Sequence, residues 1–303
     1  MTKNPIAMHH ALIAILFLLA VLLLGWGVGT QLSLTHRRRA VSALGPIVLL
    51  LLMSMGLDFS GVFSHGDIGA AIIAHAALLA LCTSAITCLL LFRPPATVKR
   101  EGDHPSLWVA CGGCFKAIAA FVCGLLIGHF THFTLAAIGL SSNAILYVML
   151  FCVGIDLVGF RFTRLTPRLV AIPLLALVAY GAGGLLFCAM TDFTWQQSLL
   201  AGSGLGWFSL SGPMVHRLVS VQMGAFAFMT DFFRELLSIV FLYFFGRRQP
   251  LAAVGLSGAA AMDSALPFIK QNCDQTYIPY AIFSGLVLTL AAPFLISLVA
   301  ALL

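Results

Sequence analysis

Asp231, Arg234 and Glu235 stand inside an otherwise apolar run, Met229-Thr-Asp-Phe-Phe-Arg-Glu-Leu236. On a helix Asp231 and Glu235 share one face at i,i+4, and Arg234 flanks Asp231 at i+3. An internal salt bridge neutralises one acid and leaves the other to bind a cation or to carry a proton. Asp58, Asp156 and Asp263 also fall within or at the edge of apolar runs, so five of the ten acidic residues lie where lipid is expected. A carboxylate at bilayer depth costs at least about 2.5 kcal/mol and therefore faces a cavity or a partner. Together these side chains suit the passage of a cationic solute.

Two Gly/Ser-rich stretches complement the acids. The first, Gly202-Ser-Gly-Leu-Gly-Trp-Phe-Ser-Leu-Ser-Gly-Pro213, has glycines that permit non-helical turns and a proline that removes a backbone donor. The second runs from Val254 to Ser264 and carries Asp263. Open backbone at membrane depth is tolerated only where it is buried in protein or lines a wet cavity, and there its helix-end dipoles can hold ions. Gly204, Gly206, Ser209, Ser211, Gly212 and Ser257 are accordingly the expected receivers of a substrate carboxylate. Close packing of helices through small residues is the competing explanation.

Enzyme chemistry fits poorly. Gly255-Leu-Ser-Gly258 matches the nucleophile motif of rhomboid-type intramembrane proteases, but the last histidine, His216, precedes it, so the base is missing at the required chain position. Of His75, His129 and His132 only the first is central in its run, which disfavours bis-histidine haem ligation. Cys111-Gly-Gly-Cys114 has no second pair to complete a zinc site. No cofactor or metal is expected.

The elements that must position these groups follow from composition. Of 303 residues, 61% are hydrophobic and 9% charged, with a mean hydropathy of +1.05. So few charges cannot cover a water-facing surface, and the solvent is the lipid bilayer. The net charge of +6 resides in short clusters between apolar runs, which is the distribution of topology signals and not of a nucleic-acid surface. The apolar run near the N-terminus is longer than a signal h-region and lacks a clear cleavage site, so it reads as a first span. Apolar run length predicts eight spanning helices near 11–30, 44–61, 69–92, 114–134, 139–160, 168–190, 222–245 and 278–302. The broken stretches 197–214 and 251–269 either span or re-enter. The expected fold is all-α, a polytopic transmembrane bundle forming a single domain over 1–303, with N-terminal helices over 1–137 and a C-terminal half over 138–303. If the loop holding Arg37 to Arg39 is cytoplasmic, Arg93, Lys99, Arg100, Arg161, Arg164 and Arg168 join it on that side, and both termini lie outside.

A repeat is also legible. Met55-Gly-Leu-Asp-Phe-Ser-Gly61 resembles Val153-Gly-Ile-Asp-Leu-Val-Gly159, 98 residues on, at the end of another apolar helix. An odd number of helices separates the copies, so they sit in the membrane in opposite senses. Inverted repeats with interrupted helices are a plan of secondary transporters.

The segments Phe151-Cys-Val-Gly-Ile-Asp-Leu157, Ala201-Gly-Ser-Gly-Leu-Gly-Trp-Phe-Ser-Leu-Ser-Gly212, Thr230-Asp-Phe-Phe-Arg-Glu-Leu236 and Gly255-Leu-Ser-Gly-Ala-Ala-Ala-Met-Asp-Ser-Ala-Leu-Pro267 resemble the lysine exporter LysO family in residues, order and spacing. The likeness is strong from about 145 to 300 and looser before that. It implies a bacterial inner-membrane exporter of L-lysine and its analogue thialysine, with both ends outside. It also implies reliance on two intramembrane acids, one in the C-terminal half that maps to Glu235 and one in an early helix that maps to Asp58. Lysine's two ammonium groups and single carboxylate match the acids and the broken backbone. Protons are the expected exchange partner. A cation/proton antiporter, or an exporter of another amino acid on a similar fold, is the alternative. Altered salt or alkaline tolerance would mark the antiporter and thialysine resistance the lysine exporter.

Overall fold

The computed structural model describes residues 5–64, 66–93, 107–131, 133–158 and 166–303. His132, Lys99, Arg100, Arg161, Arg164 and Gly159 lie outside the described residues, as do the side chains of Cys111 and Cys114. Among the described residues the chain is helical and contains no strand.

Helices α1 (Pro5–Gln31), α3 (Leu44–Ser64), α4 (Gly66–Leu91), α5 (Leu107–Thr131), α6 (Ser142–Leu157) and α7 (Pro167–Met190) form along the long apolar runs. Their starts carry ordinary signals: Ser141 accepts the Ala144 N–H ahead of α6, and Thr166 followed by Pro167 opens α7. The basic segment expected as a loop folds instead as a short helix, α2 (Leu34–Ser42). No glycine or proline interrupts it, and Arg37 Nη2 donates to the Gly29 carbonyl at 2.9 Å, fastening α2 to the last turns of α1. By length and composition, four segments among the described residues can cross a membrane, Leu34–Ser64, Gly66–Leu91, Pro167–Met190 and Gln275–Ala300. Helix α10 (Val221–Phe245), about 37 Å long, has the length but carries the charged trio.

The two broken stretches each become a pair of short helices. The first gives α8 (Trp195–Gly202) and α9 (Phe208–Leu218); the second gives α11 (Pro250–Ser257), a 3-10 turn over Gly258–Met262, and α12 (Leu266–Asn272), followed by α13 (Ile278–Ala300). Helix α8 starts at a capping box of Thr194 and Gln197 and runs back along α7, where Tyr180 Oη donates to the Leu199 carbonyl at 2.8 Å. Helix α9 then returns along α10: the Phe208 ring is 5.8 Å from Phe232, Gly212 packs on Phe228, and His216 packs on Gly224. Phe193, in the turn before α8, lies 5.2 Å from Phe226 near the start of α10. The hairpin therefore enters and leaves at the same end of the bundle. The second hairpin does the same at the other end. Gly246, just past α10, abuts Asn272, and Cys273 Sγ donates to the Gly246 carbonyl at 3.4 Å.

Two glycine crossings bind the outer helices. Gly56 of α3 meets Gly124 of α5 so closely that a Cβ on Gly56 would stand 2.2 Å from the Phe121 carbonyl. Gly154 of α6 meets Gly25 of α1, with the corresponding Cβ 2.2 Å from the Leu22 carbonyl. Backbones approach this way where small residues replace side chains in an apolar solvent.

Candidate functional site

The hairpin tips meet in the middle of the fold. Leu205 and Gly206 take left-handed conformations (φ 56° and 94°), as does Gly258 (φ 61°), which ends α8 and α11 without continuing either helix. The Leu205 carbonyl accepts the Ala259 N–H at 3.0 Å, tying one tip to the other. A Cβ at Gly258 would lie 2.1 Å from that carbonyl and 3.4 Å from Arg234 Nη2, so the guanidinium sits against the crossing.

Helix α10 supplies the charged trio to this point. Asp231, Arg234 and Glu235 are 0%, 2% and 6% exposed. Asp231 Oδ1 accepts the Gly206 N–H at 2.7 Å, so the acid occupies one backbone donor that the break frees. Gly204 has to be glycine here, because a Cβ would lie 1.9 Å from Asp231 Oδ2. Around this bond the polar accounting is incomplete. Asp231 Oδ2, Glu235 Oε2, Arg234 Nε and Arg234 Nη2 are buried and have no hydrogen bond among the described residues, although the Ser211 and Ser264 side chains stand close to the two acids. Buried polar atoms are nearly always paired, and a cluster that is not invites a ligand. Arg234 is thus no simple internal salt bridge.

The other expected residues divide into two groups. Asp263, at the end of the 3-10 turn, is solvent-accessible and lies within electrostatic reach of both Glu235 and Asp156, so four acids form a chain from Asp231 to the C-terminal end of α6. Ser257 donates to the Ala253 carbonyl at 2.9 Å, and Ser211 contacts the Phe208 and Ala227 carbonyls at 3.5 Å, which engages both hydroxyls within the protein. Gly212 provides room for Phe228. Ser209 is buried in the first turn of α9, a helix whose N-terminus no side chain caps. Those uncapped amides are the donors left at the first break.

Asp58 stands apart. Its Oδ2 accepts the Ser142 hydroxyl at 2.5 Å at the opposite end of α6 from Asp156, about 21 Å along the helix. It lines a cavity of about 230 Å³ with Thr134, Asn143, His216 and Arg217, among others. Between this cavity and the hairpin tips lie packed rings: Phe59 is 6.1 Å from Phe228, which in turn is 5.9 Å from Phe208 and 6.1 Å from Phe232. His216, Arg217 and Ser142 were not among the expected site residues. The sequence signal was the pair of basic residues closing the first Gly/Ser-rich stretch. Among the described residues no group of three His, Cys, Asp or Glu side chains is placed to hold a metal ion.

Against known proteins, residues 118–300 match the model of the family described as lysine exporter LysO. The chain is 32% identical over 191 residues to the lysine exporter LysO of Escherichia coli (strain K12), covering 58% of this chain and 62% of that protein. It is 26% identical over 185 residues to the "Putative lysine exporter" of Haemophilus influenzae, covering 60% of this chain and 95% of that protein. The match to the Escherichia coli relative thus spans less than two thirds of its length. No solved structure matches.

Proposed function

This chain belongs to the lysine exporter LysO family, and from that premise we propose that it is a multi-pass membrane transporter, not an enzyme, that exports L-lysine. The observation that carries the reading is the knot of unpartnered buried polar atoms of Asp231, Arg234 and Glu235 where the two hairpin tips meet. Four acids against one arginine favour a cationic solute. Lysine meets that balance with two ammonium groups, and its carboxylate suits the uncapped amides of α9 and the Arg234 guanidinium.

Transport is secondary and exchanges lysine for protons. When an ammonium leaves Glu235, a proton restores the neutrality of the buried carboxyl, so the acid never stays charged without a partner. Asp263 and Asp156 continue from Glu235 toward the end of the bundle that holds Arg168, Arg247 and Arg248. By the positive-inside rule that end is cytoplasmic in a bacterial inner membrane, and both chain ends lie outside. On this reading α1, α3, α4, α5, α6, α7, α10 and α13 span, and α8–α9 and α11–α12 re-enter from opposite faces. The two glycine crossings support an inverted repeat: Gly56 and Gly154 are equivalent motif positions, and each meets a glycine on a packed helix, Gly124 of α5 and Gly25 of α1.

The test is intracellular and external lysine in an exporter-null strain fed lysine dipeptide and carrying this gene. Lysine appearing outside, with resistance to thialysine, supports export. Unchanged lysine together with altered salt or alkaline tolerance would favour a cation/proton antiporter.

A further inference from the structure

The Asp58 cavity lies about 21 Å from the acids at the far end of α6 and behind the Phe59, Phe228 and Phe208 rings, so it is not an extension of the buried site. Its charge balance differs as well. Toward Asp156 and Asp263 four acids face one arginine; here a single acid faces Arg217, with His216 beside it. Asp58 accepts the Ser142 hydroxyl through Oδ2, and that bond leaves Oδ1 as the second acceptor of the carboxylate. Arg217 is exposed, its guanidinium lies 5.8 Å from the Tyr147 ring centroid, and it presents a planar fork of N–H donors. One anion and one fork of donors lining a cavity of about 230 Å³ match a small molecule that carries one ammonium and one carboxylate close together. At about 30 Å³ per liquid water the volume takes roughly eight waters, which is the scale of a free amino acid and not of a peptide.

We propose that the cavity formed by Asp58, Ser142, His216 and Arg217 is a second amino-acid site that reads the zwitterionic head of the molecule, with the ammonium on Asp58 and the carboxylate on Arg217. It rests on the reading of the chain as an amino-acid exporter and adds a division of labour. The buried site takes the whole lysine and its acids select the cationic side chain; the Asp58 cavity then reads the head group on the exit side. Helix α9 joins the two: its N-terminal turn stands at the hairpin crossing and its C-terminal His216 and Arg217 line the cavity, about 13 Å along the helix from its first residue. A movement of the first hairpin that frees the buried site therefore reshapes the second.

The two sites separate by ligand. L-Norleucine has lysine's head group and chain but no terminal ammonium; cadaverine has two ammonium groups and no carboxylate. The experiment is equilibrium binding of labelled L-norleucine to the purified full chain in lipid nanodiscs. We expect saturable binding that Glu235→Gln preserves, that cadaverine does not displace, and that Asp58→Asn and Arg217→Gln each weaken by roughly ten- to a hundred-fold while remaining monodisperse. Absence of saturable norleucine binding, loss of it in Glu235→Gln, or indifference to both cavity substitutions would overturn the proposal. Cellular lysine efflux is read separately: norleucine binding without lysine efflux defeats the export reading alone, and lysine efflux without norleucine binding defeats the second site alone.

Discussion

Gly206 donates its backbone N–H to Asp231 Oδ1 at 2.7 Å, so an acid on one helix holds open the break in another. Removing the acceptor should therefore act on the fold before it acts on transport. Asp231→Ala leaves a buried donor unpaired, at a cost of about 1–3 kcal/mol, whereas Asp231→Asn keeps an oxygen in place. Thermal unfolding in detergent is expected to show a clear loss for alanine and a smaller one for asparagine. Equal loss in both would mean that charge, and not the hydrogen bond, holds the break.

The crossing of the tips depends on glycine at two positions for two reasons. At Gly258 the backbone is left-handed and a Cβ would strike the Leu205 carbonyl; at Gly204 a Cβ would strike Asp231. Gly258→Ala and Gly204→Ala should abolish lysine efflux and lower the yield of folded protein. Gly181→Ala in α7, where nothing lies within 4 Å, should be neutral or stabilise by about 0.5–1 kcal/mol. Comparable expression and efflux in all three would contradict the tip geometry.

Re-entry has a direct chemical readout. Asp192 and Val219 flank the first hairpin and are both exposed. In a background without the native cysteines, Asp192→Cys and Val219→Cys should react with a membrane-impermeant maleimide from the same side of intact cells. Labelling from opposite sides would mean that the stretch spans.

How much of this was legible beforehand depends on the kind of information. Run length and punctuation located the long helices, and the cost of charge in lipid singled out Asp231, Glu235 and Asp263, which the fold places beside the glycine breaks. Partner choice was not legible. Nothing local to Gly206 says that Asp231, 25 residues on, takes its N–H, and nothing near Leu205 says that Ala259 caps its carbonyl. How a Gly/Ser-rich stretch folds back also depends on which helices flank it, as the Phe193–Phe226 contact shows and periodicity cannot. Asp58 shared a motif with Asp156, yet opposite ends of α6 separate them. Helix α2 was missed because three arginines read as a loop, although arginine is a good helix former.

The reciprocal glycine crossings make a paired prediction. Gly56→Val and Gly154→Val each force α3 from α5 or α6 from α1, and should cause similar falls in thermal stability, on the scale of several kcal/mol typical of overpacking beside backbone. A severe effect in one with none in the other would argue against equivalent roles in the two halves.

Proton exchange predicts that efflux responds to an imposed pH gradient. In lysine-loaded proteoliposomes a gradient that drives protons inward should speed lysine exit, and a protonophore should remove the gain. Efflux indifferent to the gradient would leave lysine as the substrate and discard protons as the exchanged ion.

On the export reading, lysine passes the crossing of the two hairpins on the buried carboxylates of α10. Counterflow measures that step without a coupling ion: labelled lysine entering proteoliposomes preloaded with unlabelled lysine. Wild-type protein should exchange lysine, and Glu235→Gln, folded and inserted to the same extent, should lose at least about ten-fold, the order expected when a charge-assisted hydrogen bond is removed. Counterflow at the wild-type rate in Glu235→Gln would contradict the account.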